Sequence, residues 1–247
     1  MNYLNDLMEI ILAVCILITA FLYASTGHGG ASGYLALMAI FSVAPVYMKT
    51  SALLLNVFVS LIAFASYYQA GHFRWKLLFP FVITSIPMAF LGAKININPH
   101  LYKIVLGFLL ILATFRLLYK PSEKKATKDP SFLIATTIGG VIGFFSGMTG
   151  IGGGIILSPI LLLLHWATIK ETVAVSSLFI FLNSISGLAG AWHDGIVLPP
   201  QIIYWVMAGL AGGMAGAWAG SHKFTVKGLT YALSLVLMIA GVKLLLV

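Results

Sequence analysis

The sequence predicts an all-α polytopic membrane protein made of two homologous halves, each of about five helical segments, arranged as inverted repeats with glycine-broken helices near the centre. Three observations carry this. Of 247 residues, 60% are hydrophobic and 8% charged, and the mean hydropathy is +1.04, whereas soluble domains carry about 25% charged residues. Apolar runs near the ~20 residues that cross a bilayer as helix recur from end to end. A broken stretch, TGHGGASGYLALMAI at Thr26–Ile40, returns as TGIGGGIILSPILLL at Thr149–Leu163, 123 positions later. Leu, Ile, Val and Phe occupy all sides of the runs instead of alternating with polar residues, which argues against a transmembrane barrel. Helices remain, because their backbone hydrogen bonds close within the segment.

Taken in order, the runs and their breakers predict segments at 7–25, 31–44, 50–70, 76–93 and 101–119, then 131–148, 154–165, 171–192, 199–220 and 226–247. The first follows MNYLNDLMEI, which has acids but no early Lys or Arg; lacking the basic start of a signal peptide, it is expected to stay in place. The second begins at the first glycine break, as the seventh begins at the second. The third follows Lys49-Thr50-Ser51, which resembles Lys170-Glu171-Thr172 before the eighth. Ala70-Gly71-His72-Phe73 precedes the fourth as His193-Asp194-Gly195-Ile196 precedes the ninth. The fifth ends at the linker KPSEKKATKDP, Lys120–Pro130. Duplication explains these matches, giving a first repeat at 1–119, a basic cytoplasmic linker at 120–130 and a second repeat at 131–247.

Charge sets the expected orientation. If all ten segments cross and the linker is cytoplasmic, Arg74, Lys76, Lys120, Lys124, Lys125, Lys128, Lys170, Lys223 and Lys227 fall inside, and Lys49, Lys94 and Lys103 outside. If segments 2 and 7 only dip in and return, that bias fades. Five crossings per half make the repeats inverted and put both termini outside. The formal charge of +8 is then a property of membrane loops and not a nucleic-acid footprint. The single cysteine, Cys15, supports neither a disulfide framework nor a thiolate cluster.

The glycine breaks have a physical use. Non-helical backbone at membrane depth is tolerated where protein buries it or a watery cavity meets it. A helix restarting after Gly27, Gly29 and Gly30, or after Thr149, Gly150, Gly152, Gly153 and Gly154, points free N–H groups and a positive dipole end toward the centre, an arrangement suited to an anion. Two such helix starts facing one site are a transporter arrangement. Neither break carries the Lys-Ser/Thr of a nucleotide-binding loop. Gly209, Gly212, Gly213, Gly216 and Gly220, near helical spacing, read instead as a packing stripe.

At these residues the chain resembles a known family. GMTGIGGGIILSPILLL, KETVAVSSLFIFLNSISG and WHDG look like the second half of the TauE/SafE sulfite-exporter permeases, and STGHGGASGYLALMAI, KTSALLLNV and QAGHFRW like the first. The resemblance implies secondary transport, by alternating access across the cytoplasmic membrane, of a small sulfur-containing or organic anion such as sulfite, sulfoacetate or another sulfonate, with no cofactor. Pro159 has the family's proline after the glycine run, but Ala36 stands at the matching place in the first half, and His28 stands where the second copy has Ile151.

The remaining polar residues are weighed against that expectation. His28 can donate to an oxyanion or simply cap a helix. Asn56 and Asn183, with Thr50, Ser51, Ser176 and Ser177 a turn or two before them, can bind an anion without burying a cation or can join helices. Arg74 and Lys76 flank Trp75, an interfacial anchor, and could attract substrate. His193-Asp194 reads as a solvated turn or a proton relay. The scattered histidines and few acids form no metal site, and no nucleophile with a matching base points to an intramembrane enzyme. A passive anion channel shares the composition. The expected partners are a small anion and the bilayer, with the exact anion, the direction of transport and the oligomeric state left open.

Overall fold

A computed structural model describes residues 2–95, 98–118, 129–192, 195–221 and 227–246. Ten helices follow one another in the described chain: α1 Asn2–Ser25, α2 Ala31–Ile40, α3 Pro45–Gln69, α4 Trp75–Ala93 and α5 Pro99–Leu118, then α6 Phe132–Thr149, α7 Gly154–Leu163, α8 Ile169–Trp192, α9 Ile202–Ser221 and α10 Lys227–Leu246. Six of them, α1, α3, α4, α6, α8 and α9, are long and apolar enough to cross a bilayer, and the chain is a multi-pass membrane protein. His193, Asp194 and most of the linker lie outside the described residues.

Where boundaries differ from expectation, local chemistry accounts for it. The third helix starts at Pro45 instead of 50 because proline, with φ preset and no N–H to lose, suits the first helical position; Lys49 therefore lies inside the helix. The second stops at Ile40 instead of 44, where Ser42 turns to φ 58 and Val43 N–H returns to the Met38 carbonyl at 2.8 Å. The eighth starts two residues early on a capping box: Thr168 N–H donates to Glu171 Oε2 at 2.8 Å, and Glu171 N–H returns to Thr168 Oγ1 at 3.4 Å.

Backbones meet directly at two seams. A Cβ on Gly139, Gly143 or Gly147 of α6 would collide with the carbonyl oxygens of Phe81, Ser85 and Ala89 of α4. On α9, Gly212, Gly216 and Gly220 stand in the same relation to Leu17, Phe21 and Ser25 of α1. Residue numbers rise together along both seams, so each pair of helices runs parallel. At α3 against α8 they run oppositely: Gly187 packs on Leu53, whereas Ile180 lies level with Asn56. The pair α5 and α10 is also antiparallel, with Gly107 beside Gly241 and Leu245 and Gly241 beside Ile111.

The apolar side chains form two main cores that do not follow the order of the chain. One joins α1, α2, α3, α5 and α10 with Trp205, Val206 and Ala217 of α9. The other joins α6, α7 and α8 with Leu77, Leu78 and Phe81 of α4. The fourth helix, α4, thus packs with α6 to α8, while α9, α10 and Ile155 of α7 pack with helices from the start of the chain. Within each half the first and third helices end at one level. Tyr67 OH, near the end of α3, donates to the Ser25 carbonyl at 3.0 Å, and Gly187 of α8 packs on Gly147 of α6.

Candidate functional site

Both breaks are turns that only glycine holds without strain. After α1, the N–H groups of Thr26, Gly27 and His28 fold back on the carbonyls of Tyr23, Ala24 and Tyr23 at 3.1, 3.0 and 2.8 Å, and α2 restarts from Gly30 at φ 94. After α6, Gly150, Gly152 and Gly153 have φ 86, 80 and 78, and α7 starts at Gly154. A side chain at these positive φ values costs about 1–2 kcal/mol per residue.

The two breaks share two neighbours. Gly29 and Gly152 each lie against both the Asn56 amide and the Ile180 side chain, leaving no room for a Cβ. Asn56, fully buried, accepts the Ala31 N–H at Oδ1, 3.1 Å away, and directs Nδ2 to the Ile151 carbonyl at 3.5 Å. Its amide oxygen therefore sits at the start of α2, the position suited to an anionic oxygen. Ile180 fills the facing place with apolar bulk.

His28 is bound into the fold. Its Nδ1 lies 2.9 Å from the Thr26 carbonyl and so carries the proton, while Nε2 pairs with Ser158 Oγ of α7 at 2.8 Å. Ser158 Oγ also lies 2.9 Å from Ser176 Oγ of α8 and 2.8 Å from the Gly154 carbonyl, so its one proton serves either His28 Nε2 or that carbonyl at a time. Next to Ser176, Ser177 Oγ lies 2.7 Å from the Gly27 carbonyl. One turn of α8 thus ties down the first break and the helix that follows the second. We expect His28→Ala and Ser158→Ala each to lower the melting temperature, at the ~1–3 kcal/mol cost of stranding a buried partner. The double variant should lose less than the sum; strict additivity would mean the pair shares no interaction.

Other residues singled out in the sequence are spread out. Thr50 Oγ1 donates to the Val197 carbonyl at 2.8 Å, and Thr149 Oγ1 to the Phe145 carbonyl at 2.7 Å. Asn183 is one turn beyond Ile180; its Nδ2 donates to the Phe179 carbonyl at 2.8 Å, while its Oδ1 and the Ser51 hydroxyl are buried without a partner. Arg74 is held between Asp129 at 2.6 Å and Glu171 at 3.3 Å, next to the Phe73–Trp75 edge contact and not at the breaks. Among the described residues no three His, Cys, Asp or Glu side chains converge as a metal site would need. Three contributors escaped the sequence reading. Ser158, a lone hydroxyl four residues after Gly154, left a trace there; Ile180 left none, and Tyr23, whose OH meets Ser32 Oγ at 2.6 Å, looked like any aromatic in an apolar run.

Comparison with known proteins agrees with this architecture. Residues 12–244 match the family model described as sulfite exporter TauE/SafE. The chain is 36% identical over 245 residues to the probable membrane transporter protein y4hK of Sinorhizobium fredii, covering 97% of this chain and 99% of that one. It is 26% identical over 223 residues to the probable membrane transporter protein YunE of Bacillus subtilis, covering 82% and 81%. No solved structure matches.

Proposed function

The chain belongs to the sulfite exporter TauE/SafE family, and from that membership and the geometry of the breaks we propose that this membrane transporter carries a small sulfur-containing or organic anion, such as sulfite or a sulfonate, across the cytoplasmic membrane by alternating access. One observation supports the site above all others: two left-handed glycine turns, one from each half, lie against the same amide, Asn56. The Asn56 oxygen at the start of α2 stands in for an anion oxygen; rotating it away frees the Ala31 N–H, and the amide can then donate to the ligand. Glycine backbone admits the anion closely. Asn183 and the hydroxyls of Ser51, Ser176 and Ser177 belong to the same proposal as groups that turn toward the anion when α8 moves. Asn56 and Ile180 fill the space between the breaks, which favours a carrier that must rearrange over an open pore.

The antiparallel runs of α3 against α8 and of α5 against α10 support inverted repeats at 1–119 and 131–247. Because α1 and α3 end at one level, the break and α2 together return the chain, which supports five crossings per half, a cytoplasmic linker and both termini outside. A C-terminal tag should then be accessible in intact cells; a cytoplasmic tag would overturn this orientation. The substrate class is tested by thermal stabilisation of purified protein with sulfite, sulfoacetate, taurine, sulfate and lactate. An anion at 100 times its Kd stabilises by about 2.7 kcal/mol. The proposal predicts a rise for a sulfonate or sulfite together with saturable uptake into liposomes. Linear, voltage-following flux would replace it with a channel, and stabilisation by lactate alone would move the substrate to carboxylates.

A further inference from the structure

A further feature lies on the surface that meets the bilayer, apart from the breaks. Along the first half of α1 the gap between α1 and α9 widens into a groove of about 340 Å³, walled by Glu9, Ala13, Val14 and Leu17 on one side and by Tyr204 and Ala208 on the other. Its shape has a local cause. Farther along, the two backbones touch, with Gly212 against the Leu17 carbonyl, whereas α9 from Ile202 to Met207 has no residue smaller than valine. The groove therefore ends, at Leu17, where the backbone seam begins.

One end of the groove is polar. Glu9 Oε1 accepts a hydrogen bond from Gln201 Nε2 at 2.5 Å, and among the described residues this neutral amide is the partner of the Glu9 side chain. Neither α1 nor the stretch 195–221 contains a lysine or arginine, so the walls supply no counter-charge. From Glu9 to Leu17 the groove follows eight residues of helix, about 12 Å, close to the ~15 Å depth of one hydrocarbon leaflet. Tyr204 is exposed in the wall and has the amphipathic ring that membrane interfaces favour. Two other apolar grooves, between α4 and α6 and between α5 and α7, have no charged side chain in their walls. Any acyl chain suits those two; the groove at Glu9 also selects a headgroup.

We propose that the groove between α1 and α9 holds a phospholipid with a primary-ammonium headgroup, phosphatidylethanolamine, with its ammonium on the Glu9 carboxylate and one acyl chain running toward Leu17. The ammonium N–H groups donate to a carboxylate oxygen in a charge-assisted bond. The quaternary ammonium of phosphatidylcholine has no N–H to give, and the net negative headgroup of phosphatidylglycerol is repelled. Lipid tails are as apolar as the wall, so the tail adds packing and little selectivity. The bound chain fills the gap ahead of the seam and braces α1, the helix that leads into the first break.

Native mass spectrometry of the full-length protein tests this, after lipid is stripped in detergent and the three phospholipids are added in equal amounts with identical acyl chains. One selectively held lipid per chain is expected. Phosphatidylethanolamine should be retained over phosphatidylcholine by about three- to fivefold, the range of a partly exposed charge pair, and over phosphatidylglycerol by more. Glu9→Gln, which can keep a hydrogen bond to Gln201, should bring the ratio of the first two close to one. Ala208→Leu fills the groove with Glu9 intact and should also erase the preference; it serves as the test if the Gln variant fails to fold. Equal retention of the three lipids by the unaltered chain, or a preference that survives in either variant, overturns the proposal. A lower oligomeric mass in Ala208→Leu with lipid selectivity unchanged overturns it in favour of a second copy of the chain in the groove.

Discussion

Asn56→Ala is expected to reduce anion uptake by about 5- to 150-fold while the protein still reaches the membrane. The substitution strands the Ala31 N–H and removes the amide facing the Ile151 carbonyl, each in a fully buried setting. Leaving a buried partner unsatisfied costs ~1–3 kcal/mol, and every 1.4 kcal/mol is about tenfold in an equilibrium. Two breaks lose their shared polar neighbour at once, so no other polar side chain near the centre should match the effect. Asn56→Asp keeps the shape but puts a negative charge where the anion must approach, and should be at least as damaging to uptake. Asn183→Ala should cost less stability, because the Asn183 oxygen already lacks a partner. Uptake into liposomes and thermal melts of the three variants provide the test. Equal losses of uptake from Asn56→Ala and Asn183→Ala would put the site along α8, away from the breaks.

Gly216→Leu and Gly147→Leu are expected to eliminate folded protein from detergent extracts. At both sites the missing side chain leaves room for a carbonyl of the neighbouring helix, and a backbone cannot swing aside as a flexible side chain can. Separating the helices to admit even one carbon disturbs the seam beyond that residue, beyond the ~1–3 kcal/mol usual for overpacking. In a membrane, where close backbone packing replaces the hydrophobic drive between helices, that loss is not recovered elsewhere. Gly213→Ala is the control. Its Cβ would meet Val59 Cγ1 at 3.3 Å, a side-chain contact that can give by a few tenths of an ångström. Size-exclusion profiles and melting temperatures should therefore rank Gly216→Ala well below Gly213→Ala; indistinguishable profiles would mean that the seams do not hold the fold.

Much of this architecture was legible in the residues. All ten helices follow from apolar runs and their breakers, because the bilayer makes hydrophobic length a strong signal. The two breaks follow from consecutive glycines, which no helix tolerates without reason. Three things were hidden, each for a different cause. Repeat matching carries no information on which core a helix joins, so the packing of α4 with α6 to α8, and of α9 and α10 with the early helices, went unseen. Asn56 and Asn183 looked like counterparts because their residue type matches, yet side-chain direction on a helix changes by about 100° per residue; the residue facing Asn56 is Ile180, which nothing polar advertises. Lys49 was read as a loop charge, since the helix start at Pro45 placed it inside α3 instead of before it.

The mixing of early and late helices in both cores has a consequence for how the protein is made. When α4 enters the membrane, Leu77, Leu78 and Phe81 have only lipid to face, because the helices that cover them, α6 to α8, have yet to be synthesised. Lipid tolerates such a wait, being as apolar as the missing core, so the early helices can be stored in the bilayer before they are sorted. The first core waits longer still, for Trp205, Val206 and Ala217 of α9 and then Leu237, Ala240 and Leu244 of α10, so neither closes without chain from the other half. Assembly therefore depends on contacts between residues far apart in the chain, which form slowly.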